Sequence, residues 1–123
     1  MIRIFLVAGA VSGFAAVALG AFAAHALRVC VAPEMLAVFE TGARYHMYHA
    51  LALLAVAWIG ARGGGAGATA AGWLFIAGTL IFSGSLYLMA VTGQRWLGAI
   101  TPIGGACLLA GWLALAIAGW RAA

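Results

Sequence analysis

Apolar residues run along this chain in four long blocks, residues 3–26, 45–61, 69–91 and 97–120, separated by short polar interruptions. A hydrocarbon core about 30 Å thick is crossed by about 20 helical residues. Each block is therefore read as a membrane-crossing helix. The second is the shortest, and Tyr45 and Tyr48 are expected to complete its length at the interface. The stretch from Arg28 to Arg44 is too charged to cross lipid, yet it places Met35, Leu36, Val38 and Phe39 close together. Pro33 suits a first helical turn, and Glu34 beside it suits the positive end of the helix dipole. The pattern predicts an amphipathic helix over residues 33–43, lying at the membrane surface and bending near Gly42 into the second span. The expected fold class is all-α: an integral membrane four-helix bundle, a single transmembrane domain over residues 1–123, with a short interfacial helix between helices one and two.

Small residues add packing detail. Helix one carries Ser12, Ala16, Gly20 and Ala24 at four-residue spacing, beside Gly9 and Gly13. Such a stripe lets another helix approach closely where lipid supplies no hydrophobic drive, so it reads as an interior face. Ser83 and Ser85 in helix three, and Thr101, Gly104 and Gly105 in helix four, are expected to pack helices together, the hydroxyls bonding within their own helix or across to a neighbour. Pro102 either starts the regular part of helix four or kinks it, and a carbonyl freed near Gly98 would need Thr101, a serine or water. The glycine-rich run Gly63–Gly67 reads as a flexible connector; it lacks the Lys, the Ser/Thr and the preceding strand of a phosphate-binding loop.

Composition agrees with a membrane protein, since 67% apolar and 7% charged residues would leave a soluble domain without a polar surface. The net charge of +4 comes from arginines at segment ends and forms no basic stripe, so nucleic acid is not a partner. Arg3, Arg62 and Arg121 fall on one side and Arg28, Arg44 and Arg95 on the other. That balance decides little, and the amino terminus tips the orientation toward both termini in the cytoplasm. Cys30 and Cys107, in a loop and a span, make neither a CxxC motif nor a disulfide framework. The A-x-A patterns at Ala21–Ala26 imitate a secretory signal, but the preceding apolar run is long for one, and the segment is expected to remain as helix one.

The chemistry gathers in one polar cluster: Glu40, Arg44, Tyr45, His46, Tyr48 and His49, with His25 added from the end of helix one, all near one membrane face. Around helix two, Gly42, Tyr45, His46 and His49 share one arc and Glu40, Arg44 and Tyr48 the opposite one. Glu40 and Arg44 are spaced for an i, i+4 ion pair. His25 continues the row Gly9, Gly13, Val17, Ala21 and is expected to look into the bundle. If His25, His46 and His49 converge, neutral imidazoles suit Zn, Cu or Fe, and a pair across two helices suits haem. Titration near neutrality inside a membrane also suits proton handling. The alternative is that these histidines bond hydroxyls or carbonyls and hold helices together. No motif demands a cofactor, and none is expected unless the histidines hold one. Nucleophilic catalysis through Ser83 or Ser85 lacks an orienting acid, because both acids lie in the first loop, so no enzyme is expected.

Five segments taken in order are diagnostic: Gly20–Leu27 (GAFAAHAL), Arg44–Leu51 (RYHMYHAL), Phe82–Tyr87 (FSGSLY), Ile100–Gly105 (ITPIGG) and Gly111–Trp112. Together they resemble the domain of unknown function family 423, small bacterial membrane proteins similar to eukaryotic transmembrane protein 256. The resemblance covers essentially the whole chain, with Ala23 standing where that family usually has glycine. It implies a four-helix protein of the bacterial inner membrane and no established activity, so no catalytic residue is carried over. The reading is a noncatalytic accessory, assembly or lipid-contacting component, with membrane lipids and a larger membrane complex or a homo-oligomer as partners. The alternative is a metal-, haem- or proton-handling protein.

Overall fold

In the computed structural model, which describes residues 1–123, the chain is all-α and dominated by four long helices. They are α1 (Ile2–His25), α2 (Pro33–Ala61), α3 (Gly65–Thr92) and α4 (Thr101–Ala122), with short 3-10 turns at Leu27–Val29 and Arg95–Ala99. Three helical stretches are long and apolar enough to cross a membrane: Ile2–Val29, Gly65–Thr92 and Arg95–Ala122. α2 is as long, but Glu40, Arg44, His46 and His49 fall within it and it is not among them.

Local chemistry explains where the helices stop. Pro33 occupies the first turn of α2 after an extended Ala32, and Glu34 follows at the dipole's positive end. α3 ends at Gly93, whose left-handed φ of +73° would strain any residue with a Cβ, and whose N–H donates to the Met89 carbonyl. Gly63, at φ +96°, reverses the chain between α2 and α3. The expected flexible connector is accordingly shorter than its glycine content suggests, since Gly65 already belongs to α3. Pro102 sits in the first turn of α4, so it begins that helix and does not kink it; Thr101 Oγ1 donates back to the Leu97 carbonyl.

Residues 33–43 do not form a separate helix. They are the first part of one continuous α2, which runs without interruption through Gly42. Gly42 is held as a packing position: a Cβ there would meet the Tyr87 ring at 3.0 Å, and its carbonyl accepts a hydrogen bond from Ser83 Oγ at 2.7 Å.

α2 and α3 occupy the centre, α1 packs mainly on α2, and α4 packs mainly on α3. The main core joins Phe5 of α1, Leu53 and Val56 of α2, Phe75 of α3 and Leu108 of α4. A smaller cluster of Ala23, Leu27, Phe39 and Ala90 closes the other end. Only 30 of 123 residues are buried, so most of the apolar side chains face outward, as a lipid environment permits. Close backbone approach carries the packing. A Cβ on Gly104 would overlap the backbone of Phe82, and one on Gly9 would lie 2.9 Å from the Ala50 carbonyl oxygen.

The buried face of α1 is not the expected four-residue stripe. Phe5, Gly9, Ala16 and Ala23 are buried, whereas Ala24 is exposed and Gly20 has open space where a Cβ would be. The row through Val17 and Ala21 to His25 also faces outward. Four residues advance a helix about 40° beyond a full turn. A four-residue row that begins inside therefore rotates out of the interface within a few steps, while the seven-residue repeat stays on it.

Candidate functional site

The helix register decides where the histidines sit. α2 runs antiparallel to its neighbours: Gly60 lies against Ile2 and Ala68 at one end, and Phe39 against Phe22 and Tyr87 toward the other. His46 and His49 therefore fall in the middle of α2, level with the middle of α1 and α3. The continuous α2 is the cause, because its centre is shifted toward the amino terminus relative to the 45–61 block.

His49 is buried and uses both ring nitrogens. Nδ1 donates to the Tyr45 carbonyl at 2.7 Å, and Nε2 accepts the Trp112 indole N–H at 3.0 Å. A carbonyl can only accept and an indole can only donate, so the pattern fixes the Nδ1–H tautomer. Phe75 packs on the imidazole at 5.4 Å between ring centroids and on Trp112 at 5.1 Å, completing an aromatic knot across α2, α3 and α4. Half-buried His46 pairs through Nδ1 with the Tyr87 hydroxyl at 3.0 Å. His25 is exposed at the end of α1. The three imidazoles do not come together, and no group of three or more His, Cys, Asp or Glu side chains is arranged to hold a metal ion.

The remaining polar residues divide in two. Ser83, Ser85 and Thr101 bridge helices: Ser83 donates to Gly42, and Ser85 Oγ lies 2.6 Å from Thr101 Oγ1 while reaching the Phe82 carbonyl. Gly104 is in tight contact with α3, Gly13 is 3.9 Å from Ala50 as a Cβ would be placed, and Gly105 stands looser against Phe82. Glu40, Arg44 and Tyr48 are exposed on the outside of α2, whereas Tyr45, though partly exposed, stacks on Phe82 of α3 at 5.1 Å. The expected Glu40–Arg44 ion pair does not form; the ion pair of this chain is Glu34–Arg95 at 2.8 Å. Both cysteines are free.

Two hollows adjoin the histidines. A cleft of about 410 Å³ is walled by Tyr45, His49, Phe82, Pro102, Leu109 and Trp112. A cavity of about 120 Å³ among α1, α2 and α3 is bordered by Ser12, His46 and Thr79. The buried Thr79 hydroxyl has no hydrogen-bond partner. A larger groove of about 540 Å³ between α1 and α2 is lined by Phe14, Val17, Met47 and Leu51 and offers no polar side chain.

Comparison with known sequences finds relatives that are named as membrane proteins. Residues 19–105 match the family described as protein of unknown function (DUF423). The chain belongs to that family. It is 45% identical to the UPF0382 membrane protein YwdK of Bacillus subtilis over 117 residues, covering 94% of this chain and 95% of that protein. It is 41% identical to the UPF0382 membrane protein SAB0533 of Staphylococcus aureus, covering 97% of each, and 42% identical to a UPF0382 membrane protein of Haemophilus influenzae, covering 95% of this chain and 94% of the relative. No solved structure matches the chain.

Sequence reasoning about this DUF423 protein missed Trp112, Tyr87 and Phe75 as partners of the histidines. A signal was available for two of them: an indole N–H or phenol within an apolar helix needs a hydrogen-bond partner when buried. For Glu34–Arg95, 61 residues apart, spacing offered none.

Proposed function

We propose that this protein is a noncatalytic membrane component, an accessory or assembly factor that works through contact with lipid and other membrane proteins and transforms no substrate. The observation that carries the reading is the use made of His49: both ring nitrogens are committed to hydrogen bonds that knit the bundle. Ser83 and Ser85 are engaged in the same way, which argues against an activated nucleophile. In this reading α2 is a fourth membrane-crossing helix, in the inner membrane of a bacterium. It crosses in spite of its polar residues because α1 and α3 cover most of its buried arc, and both termini share the cytoplasmic side.

The test is an absorption spectrum with elemental analysis on protein extracted in mild detergent from its native membrane. The expected result is neither a haem band nor stoichiometric metal. A chromophore or metal that disappears in the His25→Ala, His46→Ala double variant would overturn the proposal in favour of a cofactor site.

One observation favours a second reading, proton handling. His46 has a single ring nitrogen engaged by Tyr87 and borders the small cavity it shares with Ser12 and Thr79, which gives its other nitrogen room for water. Nitrogen-15 NMR of the His46 imidazole in lipid would decide it: titration between pH 5 and 8, as is usual for an unconstrained histidine, supports the role, and an unchanging signal removes it.

A further inference from the structure

The outward face of α2 is the part of the molecule least suited to lipid. Ala37, Glu40, Arg44, Tyr48 and Leu51 are all exposed and follow one another at three- and four-residue steps, so they form a single stripe. Neither Glu40 nor Arg44 has an ion-pair partner within the chain. Their depth follows from the register. Ser83 bonds the Gly42 carbonyl and Phe75 packs on His49, so α2 between those points is level with the centre of α3, which lies near Thr79. At about 1.5 Å per residue, Arg44 lies roughly 2–3 Å and Glu40 roughly 8–9 Å from the level of that centre. With α3 centred in a hydrocarbon core about 30 Å thick, both backbone positions fall inside it. Ionised side chains at such depth almost always face protein or water and are paired.

We propose that this stripe is the interface of a symmetric dimer, in which a second copy lays its α2 alongside and Glu40 of each copy pairs with Arg44 of the other. The occupant is argued from charge. One acid and one base stand a turn apart on the same face, so the stripe is its own complement. A twofold axis along the membrane normal runs the two α2 helices parallel at equal depth. Each acid then lies about one turn from the other copy's base, within reach of an arginine side chain, much as flanking charges pair across parallel coiled coils. Two reciprocal ion pairs form and no charge is left over. Ala37 allows close approach at one end of the stripe, and Tyr48 and Leu51 supply apolar contact at the other. Lipid tails offer no counter-charge, and an unlike protein would have to supply both signs in this order. The inference is independent of the accessory role proposed above but rests on that reading's placement of α2 across the membrane, which is tested separately by labelling from the two faces.

Charge reversal in the full-length protein reconstituted in lipid nanodiscs, with native mass spectrometry as readout, tests it. Wild type is expected as a dimer. Glu40→Arg places two cations on the stripe and Arg44→Glu two anions, so each alone is expected to lose at least tenfold in dimer fraction. Co-expressed with different tags, the two variants are expected to recover a mixed dimer, which an ion pair inside one chain would not produce. If reversals fail to accumulate in the membrane, Glu40→Gln and Arg44→Gln are expected to weaken the dimer in the same direction. A monomeric wild type, variants that dimerise as wild type does, or a co-expressed pair that stays monomeric would overturn the proposal.

Discussion

Replacing Trp112 with Phe keeps an aromatic ring against Phe75 but removes the N–H that His49 accepts. The expected loss is about 0.5–1.5 kcal/mol, the range for a single hydrogen bond in protein or membrane settings, measured by reversible unfolding in mixed detergent. A variant as stable as wild type would mean the bond contributes nothing net. His46 differs in kind, because its bond to Tyr87 joins two groups that each donate and accept, so the pair can exchange roles. Glu34 and Arg95 are joined at 2.8 Å but their side chains remain 65% and 71% exposed. Glu34→Gln is therefore expected to cost no more than about 1 kcal/mol, and less in high salt. The same unfolding titration at two ionic strengths checks it, and a larger, salt-independent loss would place the pair in a drier setting than its exposure indicates.

Between helices, the glycines are unequal, and substitution should rank them. Gly104→Val would drive side-chain atoms into the Phe82 backbone and separate α3 from α4, with an expected cost above about 2 kcal/mol. Gly20→Ala meets nothing within 4 Å and is expected to be neutral or to stabilise by up to about 1 kcal/mol through better helix propensity. Thermal stability of the two purified variants side by side checks the ranking, and equal effects would contradict the packing described for α4. The spacing of small residues made a close-packed α1 legible but misidentified which of them face inward, because that depends on the rotation of α1 against α2. Gly42 shows the same limit. A glycine between a charged and an apolar stretch reads as a hinge, and only the ring of Tyr87 and the hydroxyl of Ser83 beside it show why the helix runs on.

Taken whole, the molecule places Cys30 and the start of α3 at opposite ends of α2. If α2 crosses the membrane, Cys30 and an Ala66→Cys variant, the latter in a Cys30→Ser, Cys107→Ser background, are expected to react with a membrane-impermeant maleimide from opposite faces. Labelling from the same face would show that α2 does not cross and would withdraw the depth argument for Glu40 and Arg44. Between the helix ends the outward surface is otherwise mainly apolar, with Phe14, Leu80, Leu109 and Leu113 all more than two-thirds exposed. Against that background the charged stripe on α2 stands out only once the helices are assembled.

The all-α class, the membrane setting, the family and the set of polar residues from which any site must be drawn were legible in the order of residues alone. These follow from composition, from the length of the apolar blocks and from ordered local motifs, all of which are read along the chain. Tertiary structure alone decided that α2 is one helix, that His49 belongs to Trp112 and Tyr45, that His46 belongs to Tyr87, that His25 stands apart, and that Glu34 pairs with Arg95 while Glu40 and Arg44 are left facing outward. Except for the bond from His49 to Tyr45 in its own helix, each of these depends on the rotation and register of one helix against another. Apolar periodicity is nearly blind to that rotation here, because lipid lets the outer face of every helix be as apolar as its inner one.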